Sequence, residues 1–229
     1  MLQLRSYPEL IGKALVLEAE PFVTMTDDDE PWVEGLFFTL VIGLLVGIAQ
    51  LIGNLLMTAS LPPVAGVTEA LVQGWRQWLP VGNAGAIAEA NFRQLLNLLF
   101  TWNGYGSGWY RLFALVLTPT VLLAEWLLVG AVVYLTARAL GGKGNFNQTL
   151  GATALMAAPH VLSLLRIVPF VNVNILLIIV WSTLIVYRAA EVTHDLAWRQ
   201  AVWVALAPLA LFIVLALGGV SLLGMLITL

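Results

Sequence analysis

Charged residues are scarce in this chain and account for only 10% of its 229 residues. A soluble domain usually carries about 25% charged residues. Hydrophobic residues make up 60% of the chain instead, and the mean hydropathy is +0.93. Because a soluble fold of this size could not bury so much apolar surface, the composition predicts one compact domain surrounded by lipid.

Cysteine is absent altogether, which excludes disulfides and thiol chemistry. The 10 Lys and Arg residues are scattered singly and the net charge is −3, so no basic patch for nucleic acid is present. The motifs Gly-x-Ser-x-Gly and His-Glu-x-x-His are missing, and the two histidines lack metal-ligand spacing. We therefore predict a non-enzymatic protein with no cofactor, no metal and no nucleic-acid partner.

Long apolar runs are what the sequence has in abundance. A membrane span needs about 20 mostly apolar residues, and only helices satisfy their own backbone hydrogen bonds inside lipid. The runs do not alternate as the strands of a β-barrel would. We therefore predict an all-α fold, a bundle of five transmembrane helices with amphipathic interfacial helices. The predicted spans are residues 36–59, 112–137, 149–168, 171–189 and 201–228.

The distribution of cations predicts the orientation of the chain. Five spans place the two ends on opposite sides, and Lys and Arg accumulate on the cytoplasmic side of a membrane. This rule favours a cytoplasmic N-terminus and a C-terminus outside. The residues grouped with the N-terminus are Arg5, Lys13, Arg138, Lys143, Arg188 and Arg199, against Arg76, Arg93, Arg111 and Arg166 on the other side.

An acidic N-terminal segment, residues 1–31, precedes the membrane domain at 32–229. Within it, residues 7–17 are predicted to form a short amphipathic helix at the membrane surface. The run "DDDE" at 27–30 is interpreted as a solvated cap for a helix that begins at Pro31. A metal site is the weaker alternative there, because the run lacks the glycine and the ligand spacing of a calcium loop.

The longest connection, residues 60–111, is rich in tryptophan. Its segments 67–79 and 87–100 are predicted to form helices that rest on the lipid surface. A docking surface for a partner protein is the alternative. The predicted apolar faces are Val67, Leu71, Trp75 and Trp78 on the first helix and Ala88, Phe92, Leu95 and Leu99 on the second.

Polar side chains inside the spans point to a cluster at the midplane. A bare carboxylate there costs at least about 2.5–3.5 kcal/mol on insertion scales, so Glu125 needs a partner or a proton. His160, Gln50 and Asn54 also lie near the middle of their spans. We predict that Glu125 hydrogen-bonds His160, with Gln50 or Asn54 nearby. The cluster is interpreted as a contact that holds helices together, with a proton or ion relay as the alternative.

Two further features predict contacts. Gly43 and Gly47 form a small-xxx-small pair, which lets another helix backbone approach closely within one chain or between two copies. Residues 188–200 are predicted to form a polar loop on the cytoplasmic side, used either for interaction or for anchoring at the interface. Its candidate contact residues are Arg188, Glu191, His194, Asp195 and Arg199.

Residues 140–172, "LGGKGNFNQTLGATALMAAPHVLSLLRIVPFVN", resemble the middle of the Yip family (Ypt-interacting proteins). Bacterial members of that family have a Gly-Gly loop, a Phe and a Gln that open the third span, and a Pro near its end. The stretch "WSTLIVYRAAEVTHDLAWRQAVW" resembles the family's fourth span, the short polar loop after it and the start of the fifth span. The resemblance covers about 1–60 and 112–215. The matching positions here are Gly141, Gly142, Phe146, Gln148 and Pro159.

The resemblance to the bacterial-type branch implies five spans, a cytoplasmic N-terminus and residence in the bacterial inner membrane. Eukaryotic members bind Rab-type GTPases in vesicle traffic, but their Asp-Leu-Tyr-Gly-Pro motif is absent here. GTPase binding is therefore not predicted. We predict a membrane protein that acts by contact with lipid, other membrane proteins or a second copy, as a scaffold or an accessory subunit. The alternative is a small transporter or channel component that uses Glu125 and His160.

Overall fold

The computed structural model describes residues 4–78, 83–102 and 110–228, and every regular element in those ranges is a helix. Within them, five helices are long and apolar enough to cross a membrane, which confirms the predicted all-α bundle of five spans. Two 3-10 helices in the described ranges cover Leu4–Ser6 and Ala154–Ile167. The α-helices are α1 (Tyr7–Leu15), α2 (Glu20–Thr26), α3 (Pro31–Ser60), α4 (Val64–Arg76), α5 (Asn83–Trp102), α6 (Tyr110–Ala139), α7 (Phe146–Thr153), α8 (Ile175–His194) and α9 (Trp198–Thr228).

The candidate spans differ from the predicted ones mainly at their ends. The first span starts five residues early because Pro31, whose φ already suits a helix, opens α3. The carboxylate of Asp28 accepts a hydrogen bond from the backbone N–H of Glu30 at 3.0 Å just before that start. The five candidate spans are Pro31–Ser60, Leu115–Ala139, Phe146–Ile167, Ile175–His194 and Trp198–Gly218.

The chain divides into two compact units. The first contains Met1–Val46, Thr118–Leu162 and Val173–Leu229, and the second contains Gly47–Leu117 and Ser163–Asn172.

The N-terminal segment packs into the core of the first unit. Helix α1 buries Tyr7, Leu10 and Ala14, whose spacing of three and four residues places them on one face. Helix α2 buries Phe22 and Met25 in the same way. These side chains belong to one hydrophobic cluster with residues of α3, α6, α7 and α8. The amphipathic helix predicted at 7–17 therefore exists, and its apolar face is covered by protein.

A hydrogen bond between Tyr7 and Glu34 fastens this segment to the start of α3. The Tyr7 hydroxyl donates to Glu34 Oε1 at 2.6 Å, and both side chains are buried. Burial raises the pKa of the Tyr7 hydroxyl well above its usual value, and the hydrogen bond to Glu34 and the charges of Glu34 and Asp28 raise it further. The neutral phenol is therefore a requirement of this contact.

Replacing Tyr7 by phenylalanine is expected to lower the free energy of unfolding by about 1.5–3 kcal/mol, because it removes a hydrogen bond to a charged group. A folded-state pKa above the unfolded value of 10.0 means that this contribution is complete below that pH and is lost as the pH rises. Thermal unfolding is measured in detergent between about pH 9 and about pH 11. Over this range the unfolding midpoint of the natural protein should fall more steeply with pH than that of Tyr7→Phe. Tyr134→Phe is the control, since no hydrogen bond to that hydroxyl exists among the described residues. Parallel pH curves for the natural protein and Tyr7→Phe would refute the role of Tyr7.

Helix α7 and the part of the following 3-10 helix up to Leu162 belong to the first unit and are its most deeply buried stretch. The Asn145 side chain accepts from the N–H of Gln148, and the Gln148 side chain accepts from the N–H of Asn145, so a capping box opens α7. Every residue from 149 to 159 is buried. Small residues make this possible, since a side chain at Gly151 would collide with the Met25 carbonyl oxygen at 2.7 Å.

The second half of this span is a 3-10 helix, where the sequence predicts a continuous α-helix. Pro159 has no N–H, and its ring would clash with the carbonyl of Leu155 in an α-helix. The 14 residues of the 3-10 helix rise about 28 Å, against about 21 Å for the same number in an α-helix. The 3-10 helix therefore covers a given distance with fewer residues than an α-helix would need.

The second unit contains α4 and α5, which pack against each other. The Trp75 ring contacts the Phe92 ring at a tilt of 42° with 4.1 Å between the centroids, and Thr68, Val72 and Leu96 are buried. Two ion pairs join the helices, since Arg76 contacts Glu89 at 2.9 Å and Arg93 contacts Glu69 at 2.9 Å. A third ion pair, between Arg93 and Glu89 at 3.0 Å, lies within α5. Hydrogen bonds from Arg76 and then Arg93 lower the pKa of the Glu89 carboxyl to about 2.

The predicted apolar faces of these two helices are partly correct. Trp75 and Phe92 are in the contact, whereas Leu71 is 44% exposed and Trp78 is 82% exposed. On α4 the buried position is Val72 and not the predicted Leu71, so the buried face is rotated by one residue. The reason is that α4 packs on α5 with one face and leaves a second apolar surface exposed. Whether this exposed surface meets lipid or a partner stays a prediction.

Candidate functional site

Two of the four residues of the predicted midplane cluster line one cavity in the first unit. Glu125 lies on α6 and His160 on the 3-10 helix, and both are half-buried. Gln50 and Asn54 lie on the part of α3 that belongs to the second unit and are also half-buried. Their proximity to Glu125 stays a prediction.

The cavity has a volume of about 510 Å³ and is formed by four helical segments. This volume lies within the range of about 300–1,000 Å³ that small-molecule sites occupy. All but four of its lining residues are apolar. They are Val121, Ala124, Glu125, Leu128 and Val129 of α6, Met156 and His160 of the 3-10 helix, Ile175, Ile178, Ile179, Ser182, Thr183 and Val186 of α8, and Ala205, Pro208, Leu209 and Phe212 of α9.

This cavity lies at mid-depth and opens at the side of the bundle. Glu125, Ser182 and Pro208 each stand near the middle of their candidate spans. Other lining residues away from the ends of their span are exposed, since Val121 is 54% and Leu128 is 36% exposed. Because these exposed positions belong to apolar spans, the cavity is open to the region that hydrocarbon would occupy.

Two of the four polar lining residues are engaged with backbone carbonyls. The hydroxyl of Thr183 donates to the Ile179 carbonyl at 2.8 Å within α8. The hydroxyl of Ser182 donates to the Met156 carbonyl at 2.9 Å. In a 3-10 helix the N–H of Pro159 would have been the partner of that carbonyl, and proline has none. Ser182 therefore satisfies a carbonyl that Pro159 leaves exposed.

Glu125 differs from these hydroxyls. No hydrogen bond or ion pair to Glu125 exists among the residues that the structure describes. The predicted hydrogen bond between Glu125 and His160 is thus not formed there, although both side chains line the same cavity. A half-buried carboxyl facing an apolar cavity is a site where a ligand, a proton or an ion can supply the partner.

Sequence reasoning missed the part of the cavity that α8 and α9 contribute. Ser182 and Thr183 are adjacent hydroxyl residues in a span that is otherwise mainly apolar, and Pro208 interrupts the last span. Hydroxyl residues and prolines in spans often mark cavities or helix contacts. These signals were present, but only the packing of the helices shows that they face Glu125.

Gly43 makes its contact within the chain. A Cβ atom built on Gly43 would lie 2.6 Å from Cα of Pro119, so α3 and α6 touch backbone to backbone there. Gly47 is buried and belongs to the second unit. The close approach predicted for Gly43 is therefore between two helices of one molecule.

The predicted loop at 188–200 is mostly helical. Helix α8 continues to His194 and ends where Asp195 adopts a left-handed conformation with φ of 52°. The helix extends because nothing between Arg188 and His194 breaks it. Arg188 pairs with Glu191 and donates to the Leu17 carbonyl at 3.2 Å, so it holds the turn between α1 and α2. These two residues thus act inside the first unit.

His194 is fully buried against the glycine-rich loop at 141–144. Its Nε2 lies 2.9 Å from the hydroxyl of Thr149. A Cβ atom on Gly142 would lie 2.8 Å from the imidazole Nδ1, and one on Gly144 would lie 3.1 Å from it. The Lys143 side chain contacts Asp195 at 2.6 Å on the surface. This contact raises the pKa of Lys143 and lowers that of Asp195.

The exposed remainder of the region is small. Asp195 and Arg199 are exposed, and the Arg199 guanidinium lies 5.2 Å from the centre of the Trp198 ring. Tryptophan and arginine at a span end are typical of an interfacial anchor. An interaction role for these residues stays a prediction.

Comparison with known proteins identifies one family. The model of the Yip1 domain family matches residues 15–219 of the chain. No curated protein and no solved structure shows a significant match.

Proposed function

The chain belongs to the Yip1 domain family, and from this premise we propose that it is a non-enzymatic membrane protein that holds a lipid-dissolved molecule in the cavity beside Glu125. Its five apolar helices make it an integral membrane protein. The proposal includes a cytoplasmic N-terminus in a bacterial inner membrane, which the distribution of Lys and Arg supports.

The observation that carries the proposal is the combination of an apolar lateral cavity with an unengaged carboxyl. A protein whose polar groups served only to hold helices together would place Glu125 against a donor, as it does with Glu34 and Tyr7. Instead Glu125 faces about 510 Å³ of space, with no partner among the described residues. Binding sites commonly have apolar walls and a few polar groups that orient the ligand.

Filling the cavity tests this function. Ala124 lines the cavity at an exposed position of α6, so Ala124→Phe should occupy the space without disturbing the core. The natural protein and the variant are extracted in a mild detergent, and bound small molecules are identified by mass spectrometry. We expect a compound that accompanies the natural protein and is depleted at least about tenfold in the variant. Ala210→Phe, exposed on α9 and outside the cavity, is the control. Equal lipid content in all three proteins would contradict the proposal.

Two glutamates should respond in opposite ways to removal of their charge. Glu125→Gln is expected to leave the free energy of unfolding unchanged or higher, because the neutral amide is cheaper to hold in an apolar cavity. Glu34→Gln is expected to lower it by about 1 kcal/mol, because the amide oxygen accepts only a neutral hydrogen bond from buried Tyr7, about half as strong as the charge-assisted one. Unfolding by sodium dodecyl sulfate in mixed micelles measures the free energy of unfolding of both variants. A loss for Glu125→Gln as large as for Glu34→Gln would assign Glu125 to helix packing.

Proton or ion transport is the second candidate function. The cavity at Glu125 favours it, since a relay needs a titratable group that a mobile ion can reach. Protein reconstituted into vesicles with a trapped pH-sensitive dye would then show proton flux under a membrane potential. Glu125→Gln would abolish that flux. Flux at the level of protein-free vesicles would leave binding as the function.

A further inference from the structure

We infer that the occupant of the cavity is a lipophilic amine, a single hydrocarbon chain whose protonated amino group pairs with Glu125. The inference rests on the proposed function and specifies the chemical class of its ligand.

The apolar lining of the cavity favours a ligand with a hydrocarbon chain. Side chains such as Val121, Leu128, Ile179 and Phe212 surround the space, and the opening lies among exposed apolar residues of the spans. A ligand that enters from there comes from the hydrocarbon phase of the membrane. The volume of about 510 Å³ suits one chain with a compact head group.

The polar residues that line the cavity favour an amino head group on the ligand. The Ser182 and Thr183 hydroxyls already donate to the carbonyls of Met156 and Ile179. Glu125 remains as a carboxyl without a partner among the described residues. An ammonium group offers N–H donors and a positive charge to that carboxylate, and charge-assisted hydrogen bonds are about twice as strong as neutral ones.

Anionic lipids are a poor match for the same cavity. Among the described residues that line it, none is Lys or Arg, the side chains that usually bind phosphate and carboxylate. A phosphate or fatty-acid head would face the Glu125 carboxylate without a compensating cation, and unpaired charges are costly in an apolar site. A neutral alcohol could enter, but it would gain no charge pairing with Glu125.

A series of three probes with one chain length tests the head-group choice. Dodecylamine, dodecanol and dodecanoic acid are added to the detergent-solubilised protein at neutral pH, and bound molecules are counted by native mass spectrometry. We expect one dodecylammonium to bind at least about tenfold more tightly than either of the other two, which by RT ln 10 is about 1.4 kcal/mol.

Variants assign the selectivity to Glu125. Glu125→Gln should reduce dodecylammonium binding at least about tenfold while dodecanol binding stays the same. Glu18→Gln, which alters an exposed carboxyl outside the cavity, should change neither. Ala124→Phe, which keeps Glu125 but fills the space, should weaken all probes, so the test does not depend on Glu125→Gln folding well.

The outcomes separate this inference from the proposed function. If dodecanol binds as tightly as dodecylammonium, or if dodecanoate binds best, the amine is ruled out and a cavity for lipid-dissolved molecules remains. If no probe binds saturably and Ala124→Phe changes nothing, both fail. Amine selectivity that survives in Glu125→Gln would also overturn the inference.

Discussion

Trp126→Ala is expected to lower the free energy of unfolding by about 3–5 kcal/mol, the usual cost of removing a large aromatic side chain from a core. Trp126 is fully buried, and its Nε1 donates to the Leu150 carbonyl of α7 at 2.9 Å. Gly35 of α3 packs against this hydrogen bond. A Cβ atom on Gly35 would lie 3.0 Å from both the Trp126 ring and the Leu150 carbonyl oxygen. One side chain therefore joins three helices.

Two other tryptophan variants show which part of the effect is packing. Trp126→Phe keeps most of the ring volume and loses the hydrogen bond, so it should cost less than the alanine variant. Trp203 is 70% exposed on α9, and Trp203→Ala should change stability by no more than about 0.5 kcal/mol. Unfolding by sodium dodecyl sulfate in mixed micelles compares all three. If Trp126→Ala and Trp203→Ala unfold at the same detergent fraction, the contact among α3, α6 and α7 does not stabilise the fold.

Gly43→Val should destabilise the protein by about 3 kcal/mol, and Gly43→Ala by about 1–3 kcal/mol, as overpacked cores do. The atoms that an added Cβ would meet are Cα and Cβ of Pro119, at 2.6 and 2.9 Å. A proline backbone inside α6 has no rotamer to change, so the two helices must separate. Separation also exposes the apolar surface on both sides of the contact.

The control for this series is another helical glycine. Gly74 of α4 has no neighbour within 4 Å of an added Cβ, so Gly74→Ala should be neutral or stabilising by up to about 1 kcal/mol. Thermal unfolding of the purified proteins in detergent gives the unfolding midpoints of Gly43→Ala and Gly74→Ala. An unfolding midpoint for Gly43→Ala equal to that of Gly74→Ala would mean that α3 and α6 do not touch at Pro119.

Sequence patterns predicted the helices well because lipid leaves few choices. An apolar run of 20 or more residues must form a helix to satisfy its backbone, whatever surrounds it. An amphipathic pattern predicted the short helix at 7–17, and the acidic run at 27–30 predicted the helix start at Pro31. It could not predict that α1 is covered by the core, because an amphipathic face fits a lipid surface and a protein surface equally well.

The candidate site was predicted in part. Glu125 and His160 stood out because ionisable residues are rare inside spans. Ser182 and Pro208 did not stand out, since hydroxyls and prolines are common in such helices. The change to a 3-10 helix at Ala154 was also missed. The carbonyl of Met156 that Pro159 leaves without an N–H partner accepts from the Ser182 hydroxyl, which lies on another helix.

The sequence by itself determined that the protein spans a membrane five times with helices, because the hydrophobic content and the need for internal backbone hydrogen bonds act locally along the chain. Only the tertiary structure decided that Glu125 faces a cavity without bonding His160, that Gly43 meets Pro119, and that His194 is enclosed by a glycine loop. The physical reason is that each of these contacts depends on how helices far apart in the chain are rotated and spaced, and no local pattern specifies that rotation.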